Sequence, residues 1–442
     1  LKSRVLSRRA FALSKQVRRI HGAVYYLLHA FFMAGLACLL LHVFHLAGYK
    51  DEPWRCIIML IISAPLVFTA SRRISDSIMK ELLPIQRLPL MDYSEEIPDS
   101  ARTFLVMPVI LSSEEQGLAY IERLHKHYLT NKQLNLYFAL LVDFADAQSM
   151  EIPSDNQIRD ALIAHMEQLN KKYPSTNRRF SLFIRKRIWN KSEECYLCWE
   201  RKRGKLEEFN ALLNGVSVED TTFTTLYCDR NLLGTIQYVI TLDADSDLIK
   251  DNAVKLVGMI DHPLNRAYID PVKKKVTEGY AIIQPIVRNH IYEKSAALFP
   301  KVFGGSSGLA NYSVVVSDIY QDLFQEGSFV GKGIYNVKAF HQLLHRQIPE
   351  NSVLSHDLLE SCYARTAFAS GINIVESFPG SYISYVKREH RWIRGDWQLL
   401  PWLFKKELSF LSKWKIGDNL IASLVPISKA LFILLNIVLT PA

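Results

Sequence analysis

The sequence predicts an α/β domain held between apolar, membrane-directed segments. Three features point to this. Short apolar runs of strand length alternate with helical stretches from residue 100 onward. A charge-free run fills residues 23–48, long enough to cross a bilayer, which takes about 20 residues. The mean hydropathy is +0.03, the value expected when a water-facing domain and a few membrane segments share one chain.

Residues 1–20 carry seven Lys or Arg and no acid. A basic head beside an apolar run suits an anionic inner leaflet. After residues 23–48 comes a polar turn, Tyr49–Pro53, and then a second apolar run from Cys56 to Ala70. Pro65 interrupts this run, and Trp54, Arg72 and Arg73 flank it as interface anchors. The expectation is a basic head (1–20) and a transmembrane hairpin (21–72). The hairpin turn holds one basic and two acidic residues, whereas Arg72, Arg73 and Lys80 follow the second helix. The positive-inside rule therefore puts both ends and the following domain in the cytoplasm.

Within the α/β region, Thr103–Ile110 reads as a buried strand and Gln116–Thr130 as a helix. Leu134–Val142 reads as a second strand running into Asp143. Gln157–Lys172 is helical and Phe180–Ile188 is a third strand. Leu206–Asn214 reads as a helix after Gly204-Lys205, and Gln237–Leu242 as a fourth strand running into Asp243. Ligands of such sheets bind at the carboxyl ends of strands, where both aspartates are expected. Beyond residue 395, aromatics mixed with lysines suggest an interfacial helix. An apolar run from Leu420 then starts a further span. The chain opens at Leu1 and stops at Ala442 inside that run, as expected of a piece of a longer protein.

Composition narrows the function. The chain of 442 residues is 49% hydrophobic and 22% charged, which excludes a disordered or fibrous protein. Its net charge of +9 is partly juxtamembrane, so nucleic acid is not the expected partner. Six scattered cysteines make no disulfide framework and suit a reducing compartment. Cys195 and Cys198 have the spacing of half a zinc ribbon, but no second half follows. His29, His42 and His45 lie on one apolar segment and read as packing residues rather than haem ligands.

Three motifs carry chemistry. Asp243-Ala244-Asp245 follows a strand, where two carboxylates can reach one hard cation and neutralise a leaving diphosphate; an acidic solvated turn is the alternative. Asp357, in Ser355-His356-Asp357, heads a helix, either as a cap or as a general base. Arg388, Arg391 and Trp392 combine guanidinium groups suited to phosphate with a ring suited to a sugar face; a basic juxtamembrane patch is the alternative. Asp143 could bond a uracil or ribose. Lys205, taken as preceding a helix, could meet a diphosphate. The glycine-rich stretch Gly327–Gly333 is not a Walker loop and could border an acceptor.

In order, Asp143, Asp243-x-Asp245, Asp357 and Arg388-x-x-Arg391-Trp392 resemble the D, DxD, [TE]-x-D, [QR]xxRW signature of processive family 2-like glycosyltransferases. WERKRGKLEEFN (199–210), ITLDADSDL (240–248), EGYAIIQP (278–285), PENSVLSHDLLES (349–361) and REHRWIRGDWQLLPWL (388–403) look like the glycosyltransferase domain of cyclic β-1,2-glucan synthases. The segment at 317–340 agrees, and the resemblance covers roughly residues 75–410.

The resemblance implies a GT-A fold, a mixed sheet flanked by helices, over residues 75–395, with 396–442 returning to the membrane. It implies transfer of glucose from UDP-glucose to a β-glucan acceptor with inversion. Asp357 would be the base, and Asp245 with Asp243 would hold Mg2+ or Mn2+. Arg391 and Lys205 would face the leaving UDP, and Trp392 would line the acceptor channel. It also implies a multi-pass protein of the bacterial inner membrane, with further carbohydrate-processing domains on the full chain. Two departures stand out. Ser-His-Asp replaces Thr-Glu-Asp, which leaves His356 without a role. No phosphorylase-like domain is present, so cyclisation and length control are not readable. The same motifs fit a synthase of another linkage. An inactive nucleotide-sugar-binding scaffold would be expected to lack Asp245 or Asp357.

Overall fold

The computed structural model describes residues 2–46, 53–272, 274–289, 298–303 and 318–439, with backbone alone for 2–19, 302 and 439. In chain order the elements are α1 (Lys2–Leu46), α2 (Pro53–Leu82), β1 (Thr103–Leu111), α3 (Glu114–Thr130), β2 (Leu136–Phe144) and α4 (Pro153–Lys172). Then come β3 (Phe180–Arg185), β4 (Ile188–Asn190), β5 (Cys195–Leu197), α5 (Arg201–Leu213), β6 (Phe223–Tyr227), α6 (Arg230–Leu233), β7 (Tyr238–Thr241) and β8 (Ser246–Leu248). α7 (Asn252–Asp261), β9 (Tyr268–Asp270), β10 (Lys275–Glu278), β11 (Ile282–Asn289), α8 (Leu298–Phe303) and α9 (Ile319–Phe324) follow. The last are β12 (Gly333–Asn336), α10 (Val337–Leu344), α11 (Asp357–Ala364), β13 (Thr366–Glu376), α12 (Tyr382–Gln398) and α13 (Phe410–Leu439).

The chain divides into two compact units. One comprises Leu1–Gln86, Gly308–Glu326 and Glu389–Ala442; the other comprises Arg87–Ser307 and Gly327–Arg388. In the second, nine strands form one mixed sheet in the order β6-β3-β2-β1-β7-β12-β11-β13-β8. This is the expected mixed sheet flanked by helices. The central strands β1, β2, β3 and β7 run parallel. They are apolar and almost wholly buried, as parallel strands covered on both faces must be. Side chains alternate across the sheet. Leu105, Met107 and Val109 join one core cluster with Ile121, Leu162 and Leu256. Phe104 and Val106 join the other with Phe209 and Phe340. α3 starts where Ser113 accepts a bond from the Gln116 amide, with Glu114 and Glu115 in the positive first turn.

Among the boundaries that differ from expectation, three bear on the site. β2 continues through Asp143 to Phe144, so this aspartate lies inside the strand. β3 stops at Arg185, and Ile188 opens a separate small hairpin. α5 begins at Arg201, so Gly204 and Lys205 lie within the helix rather than before it. Gly204 is needed there because a Cβ would come within 2.1 Å of the Trp199 carbonyl oxygen.

Among the described residues, the other unit holds three helices long and apolar enough to cross a membrane, at Ile20–Leu46, Pro53–Leu82 and Phe410–Val438. α1 runs unbroken from Lys2, so the basic head continues the first span. The second span is longer than expected, because α2 carries Pro65 within it. The expected hairpin turn lies mostly outside the described residues. The expected interfacial helix is divided: α12 ends at Gln398, a single 3-10 turn covers Leu400–Phe404, and α13 starts at Phe410. Pro401 accounts for the break. Arg72 ties α2 to α13 through Asp418 at 2.8 Å and also bonds Asp76 at 2.8 Å, whose other oxygen accepts from Tyr25 of α1 at 2.9 Å.

Candidate active site

The topology of the sheet decides which side chains meet. β13 runs parallel to β11, and β12 lies antiparallel to both β11 and β7. The end of β13 therefore emerges on the edge where β7 ends. β12 enters from that edge, so the loop 327–332 before it lies there as well. α11 precedes β13 and starts at the same edge. Segments far apart in sequence thus converge at the carboxyl ends of the parallel strands, where open α/β sheets bind ligands.

Asp243 follows β7 by two residues. β8 then turns back to pair with β13, setting Ser246 opposite Glu376. The Ser246 hydroxyl donates to Glu376 Oε1 at 3.0 Å. The carboxylate oxygens of Asp243, Asp245 and Glu376 come within 4.8 Å of one another, so this acidic group can hold a metal ion. Two lysines stand against it. Lys202 Nζ donates to Asp243 Oδ1 at 2.5 Å and to the Gly331 carbonyl at 3.0 Å. Lys332 Nζ lies 3.2 Å from Asp243 Oδ2 and pairs with Glu376. Burial opposes charge on Asp243, but Lys202 and Lys332 hold its carboxyl well below the usual carboxylate range. Burial likewise opposes charge on Lys202, yet Asp243 and Asp357 outweigh it and raise its pKa.

Asp357 is the first residue of α11. The cap position belongs to His356, whose side chain makes no capping bond. Asp357 Oδ1 is buried without a hydrogen-bond partner among the described residues. Gly331 lies flat against the carboxylate: at φ +83°, a Cβ there would come within 2.7 Å of Oδ1, 2.8 Å of Oδ2 and 2.9 Å of Cγ. Behind it, His356 Nε2 is 3.5 Å from Asp357 Oδ1 and 3.8 Å from Glu360 Oε1. Lys202 links this group to the acidic one: its ammonium bonds Asp243 and the carbonyl of Gly331, the residue packed against the Asp357 carboxylate.

Asp143 is 2% exposed and accepts from Arg185 Nε at 2.8 Å and Nη2 at 2.9 Å; Lys205 is 3.1 Å away. Lys205, 1% exposed, donates to the Val109 carbonyl at 2.5 Å. Burial pushes its pKa down to about 8, against the pull of Asp143. This ammonium is engaged inside the protein. The α5 lysine beside the DxD is Lys202, three residues earlier and nearly one helical turn away. Arg388 lies over the rings of Phe378 and Tyr385 at 5.5 and 6.0 Å. Arg391 and Trp392 follow on α12 in the other unit, exposed and half-buried respectively.

Sequence reasoning missed Lys202, Lys332 and Glu376 as members of the site. The first two sit in segments it had marked, the 199–210 block and the glycine-rich loop. Glu376 carries no local signal, and only the β8–β13 pairing reveals it.

No family model matches the chain. It is 40% identical over 376 residues, 84% of its length, to cyclic beta-(1,2)-glucan synthase NdvB of Rhizobium meliloti. It spans 13% of that relative's length. The resemblance read from the motifs is thereby borne out: the chain is homologous to one segment of a cyclic β-(1,2)-glucan synthase.

Proposed function

We propose that the sheet-containing unit is an inverting glucosyltransferase that moves glucose from UDP-glucose to the 2-hydroxyl of a growing β-1,2-glucan. The observation that carries this reading is the union of two carboxylate groups through one lysine. Asp243, Asp245 and Glu376 form a group that can hold a cation, and Asp357 stands beside it with an oxygen that has no hydrogen-bond partner among the described residues. A donor whose diphosphate meets the first group would present its anomeric carbon near the second.

The donor set is all carboxylate oxygen, which suits Mg2+ or Mn2+. Lys332 bridges Asp243 and Glu376 and so holds these two carboxylates in line with one another. The ion would be held by Asp245 and Asp243, with Glu376 beside them, and when bound would neutralise the charge growing on the leaving UDP. Lys202 and Lys332 supply further positive charge to the diphosphate, the role expected of Lys205. Arg388 holds the start of α12 through Phe378 and Tyr385, and the R-x-x-R-W motif would give Arg391 a phosphate and Trp392 a sugar face to meet. Asp143, clamped by Arg185, would shape the floor under the nucleoside.

Inversion needs one displacement and one base. Asp357 takes the proton of the acceptor hydroxyl as its oxygen attacks the anomeric carbon, and the bond to UDP breaks. Positioning and electrostatic stabilisation supply the rest. The test is Asp357→Asn. An amide accepts no proton at neutral pH, so transfer should fall roughly 10²–10⁴-fold while UDP binding and folding persist. Transfer within about threefold of the parent would dismiss Asp357 as the base.

A further inference from the structure

His356 is the residue the sequence motif left without a role, and its surroundings give it one. The ring is 6% exposed. Among the described residues its Nε2 is buried with no hydrogen-bond partner, and so is Asp357 Oδ1, which it faces at 3.5 Å. A buried polar atom left unpaired is costly, and two facing each other are poised to pair. Catalytic hydrogen bonds are often long before substrate binds and tighten in the substrate complex. A movement of about half an ångström would bring this pair to ordinary bonding distance.

We propose that His356, backed by Glu360, is a positioning residue for Asp357. Its Nε2–H closes onto Oδ1 as the acceptor arrives and leaves Oδ2 to receive the hydroxyl proton. No bond to His356 is made or broken. Gly331 blocks the carboxylate from one face and His356 locks it from another, so the base keeps one orientation through successive additions. This rests on Asp357 being the base.

Glu360, one turn along α11, is 4% exposed and lies 3.8 Å from the same Nε2. Burial, reinforced by the neighbouring charge of Asp357, pushes its pKa far up and favours the uncharged acid, which neither repels Asp357 nor competes for the imidazole N–H. Burial likewise favours the neutral imidazole, with Asp357 and Asp243 opposed by Lys202 and Arg203. Glu207 is the other charged group facing Glu360. The three side chains His356, Asp357 and Glu360 are close enough to hold a metal ion, but burial favours the uncharged acid of Glu360, which makes it a poor ligand for a hard cation.

The experiment compares His356→Gln with His356→Asn, two amides of similar polarity. The Gln amide reaches the place of Nε2; the Asn amide reaches only that of Nδ1. With UDP-glucose as donor, the Gln variant should keep kcat within about threefold, and the Asn variant should lose roughly 10–100-fold, as expected for one hydrogen bond to a charged group. KM for UDP-glucose should move little in both. Equal kcat in the two His356 variants would overturn the proposal. Asp357→Asn serves as the reference: if it remains active, the base assignment itself has failed, and if it is inactive while both His356 variants match the parent, only the positioning role falls.

Discussion

Gly331→Ala tests the geometry around Asp357 with a single methyl group. Gly331 adopts φ +83°, a conformation that costs an L-residue about 1–2 kcal/mol. The added Cβ would sit 2.7–2.9 Å from three atoms of the Asp357 carboxylate group, well inside ordinary contact. The loop cannot retreat freely, because the Gly331 carbonyl accepts from Lys202 and the neighbouring Val330 amide donates to Gln284 at 2.9 Å. The carboxylate must therefore shift by roughly half an ångström to regain contact distance. Displacement of a reacting group by about 1 Å costs about 10²-fold in rate, so roughly 10–100-fold is expected here. The assay is UDP release from UDP-glucose, with UDP binding and thermal unfolding measured in parallel. The account expects kcat to fall by that factor, KM for the donor to hold, and stability to drop by no more than the backbone cost. A folded Gly331→Ala protein with parental kcat would refute the placement of Asp357 in the chemistry.

Two other predictions follow from burial and charge. Asp245 is exposed, whereas Asp243 neutralises Lys202 and Lys332. Asp245→Asn should therefore abolish metal-dependent turnover without loss of stability, while Asp243→Asn should lower both; near-parental turnover of Asp245→Asn in saturating Mn2+ would remove it from the metal group. His127 is 2% exposed, and burial lowers its pKa to about 4 from an ordinary value near 6.5. Below pH 6.5 the unfolded chain binds a proton that the folded one refuses, so stability should decline as pH falls from 6.5 to 4, by up to roughly 3 kcal/mol. His127→Asn, which keeps a donor but does not titrate, should flatten that decline; an unchanged pH profile of unfolding would contradict this.

Much of the fold was legible because its signals are local. Continuous apolar runs marked β1, β2, β3 and β7, and the last of them put Asp243 at a strand end. What escaped was set by tertiary contacts. Gly204 reads as a helix breaker, yet it lies inside α5 because the Trp199 backbone occupies the space of its missing side chain. Arg185 looks like the polar edge of a strand, yet it is fully buried as the partner of Asp143. That pairing also explains why Asp143 and Lys205, plausible ligand contacts by position, are engaged with neighbours inside the protein. The DxD and Asp357 carried their own motifs. Lys202 and Lys332 were two lysines among many basic residues, and Glu376 joins Asp243 only because β8 turns back onto β13.

The central claim is that this chain forms β-1,2 bonds from an activated glucose, and the product tests it most directly. Membrane-embedded protein given labelled UDP-glucose and Mn2+ would be assayed for polymer, followed by linkage and anomeric analysis. The account predicts 1,2-linked glucose in the β configuration, absent with Asp357→Asn. An α-linked product, another linkage, or equal product from the Asp357→Asn protein would contradict it.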